Sequence, residues 1–146
     1  MAERFRYEHR VSYSECTLGN HVYYSRYLDL IEAARGELFR QVNQSFLTWQ
    51  EKDTLFPVVE CQLRYRSPAR YDDRLTVELW LTQMEKIRLR FDYRVMLFTG
   101  KEVLSGSTLH VCTSVAGKPK PVPVELREAL QPYLHLPEAP GGMTPE

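Results

Sequence analysis

The chain has 146 residues, 43% of them hydrophobic and 12% aromatic, enough for one domain that buries most of its unfolded surface without a disulfide or metal staple. Its 19 Lys and Arg offset 19 Asp and Glu, so zero net charge gives no ground for nucleic-acid binding while leaving open a local basic patch for a phosphorylated ligand. Cys16, Cys61 and Cys112 show no CxxC spacing and fit reduced thiols in a cytoplasmic protein, the charged start MAERFRYEHR is no secretory signal, and no apolar run reaches the length of a membrane span.

Arg4 to Tyr13 alternates as a strand, with Phe5, Tyr7, His9, Val11 and Tyr13 on one face. A polar turn follows, carrying Glu15, Cys16, Thr17, Gly19, Asn20 and His21. From Tyr24 the period changes: Tyr24, Tyr27, Leu28, Ile31, Arg35, Leu38, Phe39 and Val42 recur at steps of three and four, which predicts an amphipathic helix over 24–42. Gly36 weakens that helix by roughly 1 kcal/mol relative to Ala and is read as a point of close packing on a sheet. A short helical turn is expected at Phe46 to Gln50. The period then becomes two. Val59, Cys61, Leu63 and Tyr65 form one apolar strand face; Leu75, Val77, Leu79 and Leu81 a second. Ile87 to Leu97 supplies a third, and Leu109, Val111, Thr113 and Val115 a fourth, with Thr108, His110, Cys112 and Ser114 on its polar side. The short connections predict consecutive strands as hairpin neighbours. Val124 to Leu130 reads as a short terminal helix. The expectation is a single α+β domain over 1–134, an antiparallel sheet wrapped around one long helix, with a Pro- and Gly-rich tail at 135–146.

A helix that starts straight after a polar turn presents free backbone N–H groups, which favour negative charge. The turn residues therefore surround an anion or oxyanion site. Glu15 is a candidate carboxylate, or a turn acid paired with a cation. Thr17 is a candidate water-positioning hydroxyl, or a residue that satisfies its own turn. His21 suits acid–base work near neutral pH, or orients the turn by hydrogen bonding. Cys16 reads as a packed small residue. Glu32 and Arg35 stand three apart on the helix and read as a structural pair, with Glu32 facing a partner subunit's site as the other reading. Arg64, Arg66, Arg70, Lys86, Arg88 and Arg90 form a cationic set on strand faces and the 66–74 loop.

Three patterns carry a resemblance across residues 4 to 130. They are Val11-x-Tyr13 with Gly19-Asn20-His21-Val22-Tyr23-Tyr24-x-x-Tyr27-Leu28 and Glu32-x-x-Arg35; Tyr65-x-x-Pro68-Ala69-x-x-Asp72-Asp73-x-Leu75; and the ending Gly117-Lys118-Pro119-x-Pro121 after the Thr108–Cys112 strand. In that order they resemble the hotdog-fold acyl-CoA thioesterases of the 4-hydroxybenzoyl-CoA thioesterase-like kind. The resemblance implies hydrolysis of an acyl-CoA thioester without metal or redox cofactor. It also implies subunits that pair their sheets side by side into a homodimer, often a dimer of dimers, with sites between subunits.

By the same resemblance the N–H near Tyr24 polarises the thioester carbonyl, and the Tyr24 ring packs in the core. Asn20, Tyr23, Tyr27 and Val59 line the substrate, with a lean toward an aromatic or medium-length acyl group, and Arg66 and Arg88 hold CoA phosphates. One departure matters: most members carry a catalytic aspartate where this chain has Thr17. Attack then falls to Glu15, or to water held by Thr17 and His21. The alternatives are a non-hydrolytic protein that binds acyl-CoA or acyl-carrier protein, and a hotdog hydratase or dehydratase, for which the helix lacks a convincing His–acid pair.

Overall fold

The computed structural model describes residues 2–136. Strand β1 (Phe5–Arg10) leads through a 3-10 turn at Tyr13–Glu15 to helix α1 (Arg26–Gln41), then α2 (Phe46–Glu51), strands β2 (Val58–Tyr65), β3 (Arg74–Met84), β4 (Arg88–Leu97) and β5 (Glu102–Val111), and α3 (Val124–Leu130). The five strands form one antiparallel sheet in the order β1-β3-β4-β5-β2, curled around α1. This is the α+β hotdog architecture expected from the sequence.

The core lies between α1 and the inner sheet face. Tyr27, Ile31, Ala34, Leu38 and Phe39 of α1 meet Leu75, Val77, Leu79 and Leu81 of β3 and Leu89, Phe91, Tyr93 and Val95 of β4, all buried. The helical and two-residue periods read from these segments place those side chains inward as expected.

Four expectations need correction. The first strand stops at Arg10, because Val11 makes the last sheet-like bonds, donating to Asp73 O and accepting from the Asp72 amide, and Ser12 caps a turn; Tyr13 is exposed. The strand after β2 is not its hairpin neighbour. β2 pairs with β5 at one edge, β3 pairs with β1 at the other, and residues 66–73 cross the sheet end between them. That crossing is anchored at Ala69, fully buried, whose carbonyl accepts from the Val22 amide and whose amide donates to the Tyr27 hydroxyl.

The third correction concerns β5. Its inward residues are Leu104, Thr108 and His110, with Cys112 buried just beyond its end, and Leu109 and Val111 face outward. Cross-strand partners share a face, and the register sets Phe91 opposite Thr108 and Leu89 opposite His110. The polar inner face supports a hydrogen-bonded network described below. The fourth is β2, which is exposed along almost its whole length. α1 lies closest to β1 and β3, and the β2 edge of the sheet stays open to solvent.

Of the Pro- and Gly-rich tail, residues 137–146 lie outside the described residues. His135 donates its amide to Leu81 O and packs on Trp80.

Candidate active site

The turn after β1 is built from its own backbone. The Thr17 amide donates to His21 O at 2.9 Å, the Asn20 amide to Thr17 O at 3.0 Å, and the Tyr23 amide to Glu15 O at 2.9 Å. Asn20 takes the left-handed conformation, φ 55°, that the reversal requires. Its carbonyl and side-chain oxygen accept from Arg70 and the Tyr71 amide, tying the turn to the 66–73 crossing.

At the end of this turn α1 begins at Arg26, two residues later than the period change. The amides of Tyr24 and Ser25 find no hydrogen-bond acceptor among the described residues. Beside them, with Tyr24 in its wall, lies a cavity of about 460 Å³ lined by Thr17, His21, Val22, Tyr23, Tyr24, Tyr27, Tyr65, Arg66, Ser67 and Pro68. Tyr65 reaches across from β2, donating its hydroxyl to Tyr24 O at 3.0 Å and packing against the Tyr27 ring. The Tyr24 ring is 60% exposed, so the expectation that it packs in the core is corrected. Position 24 precedes the helix, and its ring packs on Tyr23 at the cavity wall rather than in the core.

The sequence candidates divide. Thr17, His21, Tyr23, Tyr24, Tyr27 and Arg66 line the cavity, and Asn20 braces its wall. The His21 Nδ1 lies 3.4 Å from Val22 O, which only accepts, so Nδ1 is the donor of that contact and Nε2 is left to face the Gly19 side. The Thr17 hydroxyl accepts from the Gly19 amide at 3.3 Å and keeps its own proton to donate. Gly19 leaves the space between them: a Cβ there would sit 3.1 Å from the His21 ring and 3.9 Å from Thr17 Oγ1.

Glu15 is not among the lining residues. Its carboxylate accepts from the Ser12 amide at 2.7 Å and meets His9 Nε2 at 2.9 Å. Burial alone would raise its pKa, but the Ser12 amide and the His9 ring outweigh that and hold it below the ordinary value. Val59 and Arg88 are also outside the cavity. Val59 is six residues along β2 from Tyr65, roughly 20 Å. Arg88 starts β4 at the opposite end of the strands, opposite Val111. Arg66 holds Glu102 at 3.3 Å with half its side chain in solvent.

A second polar group was hidden from sequence reasoning. Arg35 does not pair with Glu32. Its guanidinium turns inward and donates to Tyr93 OH at 3.0 Å. Tyr93 OH donates to Thr108 Oγ1 at 2.6 Å, Thr108 to His110 Nε2 at 2.8 Å, and His110 Nδ1 to Phe56 O at 2.8 Å. The directions follow from the two ends, since a guanidinium only donates and a carbonyl only accepts. His110 is therefore neutral, its pKa lowered to about 4 mainly by burial. No local motif signals this chain, because its members come from α1, β4, β5 and the segment before β2.

A family model described as the thioesterase-like superfamily matches residues 11–130. The acyl-CoA thioesterase YbgC of Haemophilus influenzae is 34% identical over 128 residues, 86% of this chain and 93% of the relative. The 1,4-dihydroxy-2-naphthoyl-CoA hydrolase of Synechococcus elongatus is 25% identical over 132 residues, 87% of this chain and 95% of its own. Among solved structures, a hypothetical protein of Aquifex aeolicus superposes with a TM-score of 0.82 at 27% identity, covering 86% of this chain and 98% of that one.

Proposed function

The chain belongs to the thioesterase-like superfamily, and we propose that it hydrolyses an acyl-CoA thioester to the free acid and CoA at the N-terminal end of α1. The observation that carries the reading is the pair of unengaged amides at Tyr24 and Ser25, at the start of α1 where Tyr24 lines the cavity. Amides fixed in this way stabilise a developing oxyanion without reorganising, and the helix dipole adds to them.

Attack falls to water. Thr17 Oγ1 and His21 Nε2 flank one small space, the first as a hydrogen-bond donor, the second as the base. Water loses a proton to His21 and adds to the thioester carbon, and the oxygen charge is held by the two amides. Collapse breaks the C–S bond, and the proton passes from His21 to the departing sulfur. Glu15 acts through the fold: its carboxylate is engaged by Ser12 and His9, and its carbonyl holds the Tyr23 amide. Tyr23 and Tyr27 wall the start of the acyl path, and Arg66 meets the CoA phosphates at the rim.

Two further points belong to the same proposal. The exposed β2 edge pairs with a second copy to give a dimer, which is argued below. Three free thiols favour a reducing compartment, the cytoplasm; no helix among the described residues is long and apolar enough to cross a membrane.

The test is CoA release from short, medium, long and aromatic acyl-CoAs, corrected for the protein's own thiols. We expect turnover that falls about 100-fold or more in His21→Asn and less in Thr17→Val. A comparable fall in Glu15→Gln, with folding intact, would transfer the attack to that carboxylate. Saturable binding with no turnover across the panel would establish a non-hydrolytic binding protein instead.

A further inference from the structure

Away from the helix N-terminus, two adjoining cavities of about 440 and 280 Å³ run along the flank of α1 toward β2 and share Asp29, Glu32 and Arg35. Arg35 is only 8% exposed, yet among the described residues it makes a single hydrogen bond and no ion pair. A guanidinium has five donors, and a buried cation without a counter-charge is costly. The groups around it offer no relief. Tyr93 and Thr108 are neutral hydroxyls already engaged along the network, and His110 is neutral, so none supplies a negative charge. Asp29 is committed outward to Arg26, and Arg40 to Glu37. Glu32 stays exposed at the rim and out of salt-bridge range.

We propose that this cavity is a carboxylate-binding site anchored by Arg35. The proposal rests on the thioesterase reading for where the carboxylate comes from: the far end of a medium-length acyl group, so that the preferred substrate is the monothioester of a dicarboxylic acid. Arg35 stands eleven residues beyond Tyr24, roughly 16 Å along the helix, and its side chain leans back toward the N-terminus. A medium-length acyl chain held at the Tyr24 amide and running along the α1 flank brings its second carboxylate to the guanidinium. There a planar fork meets a planar carboxylate in two parallel hydrogen bonds. The Tyr93–Thr108–His110 chain ends on a backbone carbonyl and fixes the fork's direction. A free carboxylic acid is the same chemistry from a second source.

The full-length protein is tested with octanedioyl-, decanedioyl- and dodecanedioyl-CoA against the matching monocarboxylic acyl-CoAs, and by calorimetric titration with decanoate alone. At least one diacid thioester is expected to exceed its counterpart in kcat/KM by tenfold or more, and that ratio is expected to collapse in Arg35→Lys. No such ratio, but decanoate binding that weakens tenfold in Arg35→Lys, assigns the site to a free acid. Absence of both effects overturns the proposal, the result expected if a second copy's carboxylate already occupied Arg35. Glu32→Gln, a change at an exposed position, gives an answer even where Arg35→Lys does not fold. Removing that negative charge is expected to tighten carboxylate binding about threefold; weaker binding overturns the proposal. Failure of the thioesterase reading looks different: no CoA is released from any substrate, while Arg35-dependent binding of decanoate remains.

Discussion

A neutral histidine at the bottom of a polar chain ties stability to pH. The folded state holds the His110 pKa at about 4, against an ordinary value of 6.5, because burial and the nearby Arg35 disfavour its charged form. Between those two values the unfolded chain binds a proton that the folded chain does not. Stability is therefore full above pH 6.5 and is lost as pH falls toward 4, by about 3 kcal/mol in total. Urea unfolding at pH 7.5, 5.5 and 4.5 is expected to show that decline, and His110→Asn to flatten it although the variant starts lower. Glu15 adds a separate loss further down. Its lowered pKa contributes stability above the ordinary carboxylate value, and this disappears as pH falls below it. A steep fall above pH 6.5, or none down to pH 4.5, would contradict the assignment of His110 as neutral.

Two glycines separate the demands of a helix from those of a sheet. At Gly106 an added Cβ would lie 2.2 Å from the Gln62 carbonyl oxygen on β2, a clash with backbone that no rotamer relieves. Gly106→Ala is expected to part β2 from β5 and cost about 2–3 kcal/mol, read as a lower denaturation midpoint. Gly36 was read from the sequence as a close approach to the sheet, and the structure corrects this. Its nearest neighbours for a Cβ are Arg40 and Phe46 side-chain atoms at 3.8 Å, ordinary contact beside the cavity. Gly36→Ala is therefore expected to stabilise by about 1 kcal/mol and raise Tm by roughly 2–4 °C. The element order, α1 and the site turn were legible because each is local: a change of period, or a cluster of polar residues before a helix. The pairing of β2 with β5 was not, since pairing joins distant segments. Nor was the inner face of β5, where Thr108 and His110 sit inward because Tyr93 and Arg35 receive them. Hydrophobic alternation assigns such a strand to the wrong side. For the same reason Arg35 was matched to its neighbour Glu32 rather than to a tyrosine 58 positions away.

At the scale of the molecule, the unsolved problem of the single chain is its β2 edge. Val58, Val59 and Tyr65 are large apolar residues with about half their surface in water, on a strand whose outer backbone groups have no partner in the sheet. Such an edge invites pairing, and proteins that stay monomeric protect it with charge, proline or a covering element. Here β2 carries Glu60 and Arg64, but Glu60 is already bound to Arg90 on the sheet face at 3.1 Å. A two-fold axis through β2 satisfies both strands at once, because one self-complementary edge closes the assembly. Such pairing would also bury the exposed β2 side chains, next to the cavity between α1 and β2. The expected mass in solution is at least twice the 17.2 kDa of the chain. Val59→Lys places a charge on that edge and is expected to shift the protein to monomer in sedimentation velocity, with its circular dichroism kept. Activity is expected to fall with dimer content, since the Tyr65 wall of the proposed catalytic cavity hangs from the same strand. A monomeric wild type that turns over acyl-CoA at full rate would refute this, and would mean that one chain holds the whole site.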